Sequence, residues 1–213
     1  MEKIRATALA TARAIVPLLE DERVAARWSE PSALAMLSVG GLAGHLARAL
    51  DTVEIYLDEP EPPDEGLISP TEYWIAALGS AGDLQGPMHT GVRERGEEAG
   101  KKGPVALVAG LREQLERLTT RLETERPDRR VTVMRGMARM TLDDYLPTRI
   151  VEMTVHADDL AASVGADAPD LGEALDIAID VLVATATASK GKAAVLRALT
   201  RRERDAVEAL RVL

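Results

Sequence analysis

The stretch Tyr145-Leu-Pro-Thr-Arg-Ile-Val-Glu-Met-Thr-Val-His-Ala-Asp-Asp-Leu-Ala-Ala-Ser-Val-Gly165 decides how the chain is read. Apart from Pro147 its residues suit a helix, and Gly165 falls where a left-handed C-terminal cap belongs. At about 100° per residue, Glu152, His156, Asp159 and Ser163 share one narrow stripe, with Arg149 at its margin. Leu146, Met153, Leu160 and Val164 flank the stripe on one side and Val151 and Val155 on the other. That leaves Thr154, Asp158 and Ala161 as the expected solvent face, so the ionisable stripe points inward. Pro147 lacks the N–H that would bond the carbonyl of Asp143, and is expected to kink the helix or delay its regular part.

A buried carboxylate and imidazole need a charge partner, a hydrogen bond or a metal ion. A divalent cation is the simplest compensation. Glu152 and His156, at i and i+4, reach one ion from one helix face, and a third ligand must then come from another helix. His45 is the candidate. Arg149 competes with this reading, since it can neutralise Glu152 without any ion.

His45 belongs to a helix that Ser38 caps and that runs to about Asp58, ahead of Pro60. Val39, Leu42, Leu46, Leu50, Val53 and Leu57 form its core face. Tyr56 lies within about 20° of His45 in projection and is taken as a cofactor-binding candidate. Gly40, Gly41 and Gly44 are unfavourable inside a helix, which implies that another backbone or a ligand comes close there.

With 213 residues the chain can build one hydrophobic core with a few appended helices. Phenylalanine is absent and aromatics make up 2%, which favours closely packed helices, so the fold class is mainly α. The net charge of -9 argues against nucleic acid and against an anionic membrane as partners. No run approaches the roughly 18 apolar residues of a membrane span, so a cytoplasmic location is expected. There is no cysteine, so any thiol chemistry needs a thiol from outside the chain.

The remaining segments read as follows. Residues 2–27 form a first amphipathic helix that Pro17 kinks or breaks, and Trp28 follows as a packing plug or a pocket wall. The segment from Glu59 to Gly66 is an acidic, proline-rich connection. Ser69-Pro70-Thr71-Glu72 is a capping box opening a helix through Tyr73 and Trp74, which, being adjacent, point different ways. Between Gly79 and Gly103 only Val92–Ala99 reads as a short exposed helix. The charge run there holds His89, Arg93 and Arg95, with Arg93 the candidate for meeting an acidic ligand. Gly103-Pro104 starts a long helix to about Glu125 whose core face carries Val105, Val108, Leu111, Leu115, Leu118 and Leu122. Val131 to Met140, turning at Arg135-Gly136, reads as a small hairpin, and Thr141 as the cap of the central helix. After Gly165 comes a helix with Leu175, Ile179, Leu182 and Val183, then Val195 to Leu199, and the capping box Thr200-Arg201-Arg202-Glu203 opens a terminal helix to Val212.

Ser38-Val-Gly-Gly-Leu-Ala-Gly-His-Leu-Ala together with Arg149-Ile-Val-Glu-Met-Thr-Val-His-Ala-Asp-Asp-Leu resembles the mycothiol-dependent maleylpyruvate isomerase N-terminal family of the DinB-like superfamily. The resemblance implies an up-and-down four-helix bundle over residues 1–165, with residues 166–213 as a C-terminal helical extension packed on the same domain. It also implies a divalent metal, usually zinc, on His45, Glu152 and His156. The isomerase itself carries a further α/β domain with a substrate-binding arginine. The segment after Gly165 reads as helices instead, so that particular isomerisation is not expected.

The expected function is a metal-dependent transferase or isomerase that uses mycothiol or another low-molecular-weight thiol on a small electrophilic substrate. Asp159 would orient an imidazole and Arg149 would anchor a substrate carboxylate or hold Glu152. A hydrolase using metal-bound water and a non-catalytic metal- or ligand-binding module are the alternatives. The partners expected are the substrate and the thiol, with the chain a monomer or a homodimer.

Overall fold

Four long helices form the frame: α1 (Lys3–Ala14), α4 (Val39–Asp58), α7 (Pro104–Thr124) and α8 (Leu142–Val164), with short α2 (Val16–Leu19) and α3 (Glu22–Ala26) after α1. The computed structural model describes residues 2–78, 87–200 and 210. α1 packs on α7 and α8, and α4 packs on the same two helices, which closes a four-helix bundle. Arg5, at the start of α1, fixes the relative directions. Its guanidinium donates to the carbonyls of Leu122, Glu125 and Arg126 at the end of α7 and to Asp143 in the first turn of α8. At the other contact Glu54, near the end of α4, meets Arg117 near the end of α7, while Thr52 accepts from the hydroxyl of Tyr145 on α8. The helices therefore run up, down, down, up rather than in strict alternation. The parallel pair α4 and α7 is possible because residues 59–103 carry the chain back along the bundle.

That return contains α5 (Pro70–Leu78), opened by the Ser69–Glu72 capping box, and α6 (Pro87–Gly100). The short exposed helix expected over Val92–Ala99 is thus longer and packed. It packs because two glycine pairs face each other. A methyl on Gly96 would stand 2.7 Å from the carbonyl oxygen of Gly41, and one on Gly100 2.5 Å from that of Gly40. Backbone meets backbone, as the glycines of the His45 helix imply. Trp28 plugs the end of this crossing, its indole N–H donating to the carbonyl of Gly100 at 3.0 Å.

Pro17 breaks the first helix as expected, at the start of α2. Pro147 does not delay α8, which begins at Leu142 with Thr141 as its cap. One lost hydrogen bond is outweighed there by burial of Leu142, Tyr145, Leu146 and Ile150. The solvent face expected for this helix shrinks to Asp158, because α1, α4, α5 and α9 (Glu173–Lys190) surround it and bury Thr154 and Ala161. On α7, Val105 is likewise exposed rather than part of the core face, since it precedes the packed turns. The hairpin forms as β1 (Arg130–Val133) and β2 (Ala138–Thr141), antiparallel, with Val131 opposite Met140.

α9 buries Ala174, Ala178, Thr185 and Ala186, whereas Leu175, Ile179 and Val183 of its expected apolar face are exposed. α10 (Lys192–Thr200) packs on α9. The expected terminal helix lies, but for Thr200 and Leu210, outside the described residues, as does the side chain of His89. Among the described residues no helix is long and apolar enough to cross a membrane.

Candidate metal centre

Because α4 runs antiparallel to α8, His45 stands across from Glu152 and His156. Nε2 of His45 is 3.4 Å, and Nε2 of His156 3.1 Å, from the same carboxylate oxygen, Oε2 of Glu152. The imidazoles meet edge to face with centroids 4.6 Å apart. One ligand atom from each residue lies within 4.8 Å of the other two, so the trio could hold a metal ion. Donors about 2.1 Å from a tetrahedral dication are about 3.4 Å from one another, and the two nitrogen-to-oxygen separations fit that spacing. Two imidazoles and one carboxylate are a donor set suited to zinc. The side chains keep 17–18% of their surface in contact with solvent, so the centre is reachable from outside.

Asp159, one turn beyond His156, places Oδ2 3.0 Å from Nδ1 of that ring. A carboxylate at this point accepts from Nδ1–H and turns Nε2 toward Glu152 and His45. Burial alone would lower the His156 imidazole, but its hydrogen bonds with Asp159 and Glu152 prevail and push it up to about 9. Burial would raise Glu152. Hydrogen bonds from His156 and His45, with Arg149 adding its charge, hold the carboxyl well below its usual range instead. It is ionised at neutral pH. Ser163, the last member of the stripe, has a structural part: its hydroxyl accepts from the backbone N–H of Ala33 and donates to the carbonyl of Asp159.

Arg149 is buried, and its nearest approach to Glu152 is 3.8 Å, to Oε1. Its guanidinium donates instead to the hydroxyl of Tyr73 at 2.7 Å and to that of Thr148 at 3.1 Å, and lies over the rings of Tyr145 and Tyr73. These contacts draw it off the carboxylate, so it adds positive charge without displacing the imidazoles from Oε2. The structure thus brings together His45, Glu152, His156, Asp159 and Arg149.

Tyr56 and Arg93 are not among the three residues whose ligand atoms converge. Tyr56 shares the face of His45 but sits three turns along α4, about 16 Å farther down the axis, where its ring packs 5.5 Å from that of Tyr145. Arg93 bonds Thr90 and lines a shallow surface depression with Met36, Glu97 and Lys101.

Tyr73 lies near the centre without a signal in the chemistry of the sequence. It reaches Arg149 because it and Trp74 divide between two faces of α5, Trp74 joining Val151 and Ala178 in the core.

The family model of the mycothiol maleylpyruvate isomerase N-terminal domain matches residues 8–161, a span that includes all three convergent residues. Comparison with curated proteins and with solved structures finds no match. The matched span takes in most of the chain, and the protein therefore belongs to the mycothiol maleylpyruvate isomerase N-terminal domain family.

Proposed function

We propose that this protein is a metal-dependent transferase or isomerase that uses a low-molecular-weight thiol of the mycothiol type on a small electrophile. The observation that supports it is the convergence of both Nε2 atoms on one oxygen of Glu152. His45, Glu152 and His156 would hold the ion, most suitably zinc, and three protein ligands leave one coordination position for an incoming group. When bound, the ion supplies the positive charge that lets a thiol ionise at neutral pH.

The other residues set up that chemistry. Asp159 holds the proton on Nδ1 of His156 and keeps Nε2 available. Arg149, fixed by Tyr73 and Thr148, keeps Glu152 ionised without competing for Oε2. The chain contains no cysteine, so the thiol arrives as a co-substrate. Membership in a mycothiol-related family supports the choice of that class of thiol.

The test is elemental analysis of protein purified without chelator, followed by turnover of a generic electrophile with and without added thiol. One metal per chain and thiol-dependent turnover are expected, and His45→Ala should lower both metal content and thermal stability. Thiol-independent hydrolysis, or unchanged metal stoichiometry in His45→Ala, would overturn the proposal.

A further inference from the structure

The glycine crossing also sets two arginines on one seam. α6 runs antiparallel to α4, since Gly100 meets Gly40 while Gly96 meets His45, and the Cβ of Ala99 lies 3.0 Å from where a methyl on Gly44 would stand. Four residues on from Gly44 is Arg48, and four residues back from Ala99 is Arg95. Both therefore fall on the same seam, one turn farther along. The Arg95 side chain runs back along α6, its Nη1 3.1 Å from where a methyl on Gly91 would stand. A third guanidinium comes from the turn of the hairpin, whose first strand packs on α4. There Met134 and Arg135 both take positive φ, 53° and 58°, a conformation that costs energy in residues other than glycine and gathers at ligand sites.

Little within the protein answers this charge. Arg48 approaches Asp51 at 3.8 Å, and among the described residues no hydrogen bond or ion pair holds the side chain of Arg95 or Arg135. Arg48 and Arg95 are partly buried. Burial, followed by repulsion from Arg135 and Arg48, lowers the Arg95 guanidinium, and Tyr56 and Glu94 oppose this more weakly. Like charges drawn together and partly out of water cost stability until an opposite charge joins them. In a chain of net charge -9 such a cluster is no general property of the surface.

We propose that Arg48, Arg95 and Arg135 form a binding site for the acidic group of a small molecule, a carboxylate or a phosphate. The planar fork of each guanidinium offers paired N–H donors to the oxygens of either group. Arg48 stands one turn beyond His45 on α4, so the acidic group held here is that of the electrophile or the thiol. That last link rests on the function proposed above, whereas the binding of an anion does not.

The test is isothermal titration calorimetry of the full chain with inorganic phosphate and, separately, with succinate, each against sodium chloride at matched ionic strength. At least one of the two should bind. Phosphate alone assigns the site to phosphate esters, succinate alone to carboxylates, and both to either source. Arg95→Gln and Arg135→Asn should each weaken binding about tenfold or more, asparagine being chosen because it tolerates positive φ. Without anion, Arg95→Gln should melt no lower than the wild type, because a repelled charge is removed, whereas a purely structural arginine would lower the melting temperature on substitution. His45→Ala should still bind, which separates the arginines from a metal ion as the seat of the anion. A wild type that binds neither anion beyond the chloride control overturns the proposal. So does unchanged affinity in both arginine variants, a lower melting temperature for Arg95→Gln, or loss of binding in His45→Ala.

Discussion

Gly96→Ala tests whether the crossing of α4 and α6 is set by backbone contact. The added methyl would sit 2.7 Å from the carbonyl oxygen of Gly41 and 3.2 Å from the Cβ of His45. Ordinary contact begins near 3.4 Å, so the two helices must separate by about 0.7 Å, and neither neighbour is a flexible side-chain end. Overpacking of this kind costs about 1–3 kcal/mol, against a gain of about 1 kcal/mol from replacing glycine inside a helix. A net loss of about 1 kcal/mol lowers the melting temperature of a chain this long by about 2–4 °C. Gly110, on the exposed side of α7, has nothing within 4 Å of the corresponding position. There only the helix gain operates, and Gly110→Ala should raise the melting temperature by about 2–4 °C. The assay is differential scanning calorimetry of both variants beside the wild type, with zinc titration as a second reading. Because the new methyl presses on His45, zinc affinity should fall for Gly96→Ala and stay put for Gly110→Ala. The reasoning fails if the two melting temperatures move in the same direction.

Asp159→Asn should weaken zinc binding about 10–100-fold while leaving the fold intact, since the carboxylate that fixes the His156 tautomer is lost but no ligand is. Competition against a chromogenic chelator measures it, and unchanged affinity would remove Asp159 from the centre. Arg5→Ala should destabilise the chain by about 3 kcal/mol or more, because three carbonyls at the end of α7, that of Leu122 buried and the others partly so, and the carboxylate of Asp143 lose their donor together. Urea unfolding reads this directly, and a loss under about 1 kcal/mol would refute it. On the acid side, Arg117 holds Glu54 below its usual range, against burial and with help from Gln114. A depressed carboxyl stabilises the fold above its unfolded value and loses that contribution as pH falls through the folded one. Melting of the wild type should therefore drop more steeply below about pH 4.5 than that of Glu54→Gln, and parallel profiles would contradict the assignment.

Helix positions and the chemistry of the central stripe were legible from local order. A period of 3.6 residues forces Glu152, His156 and Asp159 onto one face wherever the helix goes, and caps at Ser38, Ser69 and Thr141 mark starts by bonds that span three residues. His45 could be named as the third ligand, but its distance from Glu152 depends on the antiparallel pairing of α4 and α8. That pairing is a long-range fact. The failed expectations share this origin. Thr154 and Ala161 are buried because four other helices crowd α8, which its own sequence does not record.

Sequence alone, then, determined the capped helix starts at Ser38, Ser69 and Thr141 and the charged face of the central helix, because those depend on neighbours within one or two turns. Tertiary structure decided that both imidazoles address a single oxygen of Glu152 and that Tyr73 and Tyr145 hold Arg149 away from it. It also decided that Leu175, Ile179 and Val183 look outward. These outcomes turn on how whole helices cross, and crossing is fixed by contacts such as Gly41 with Gly96 between residues far apart in the chain.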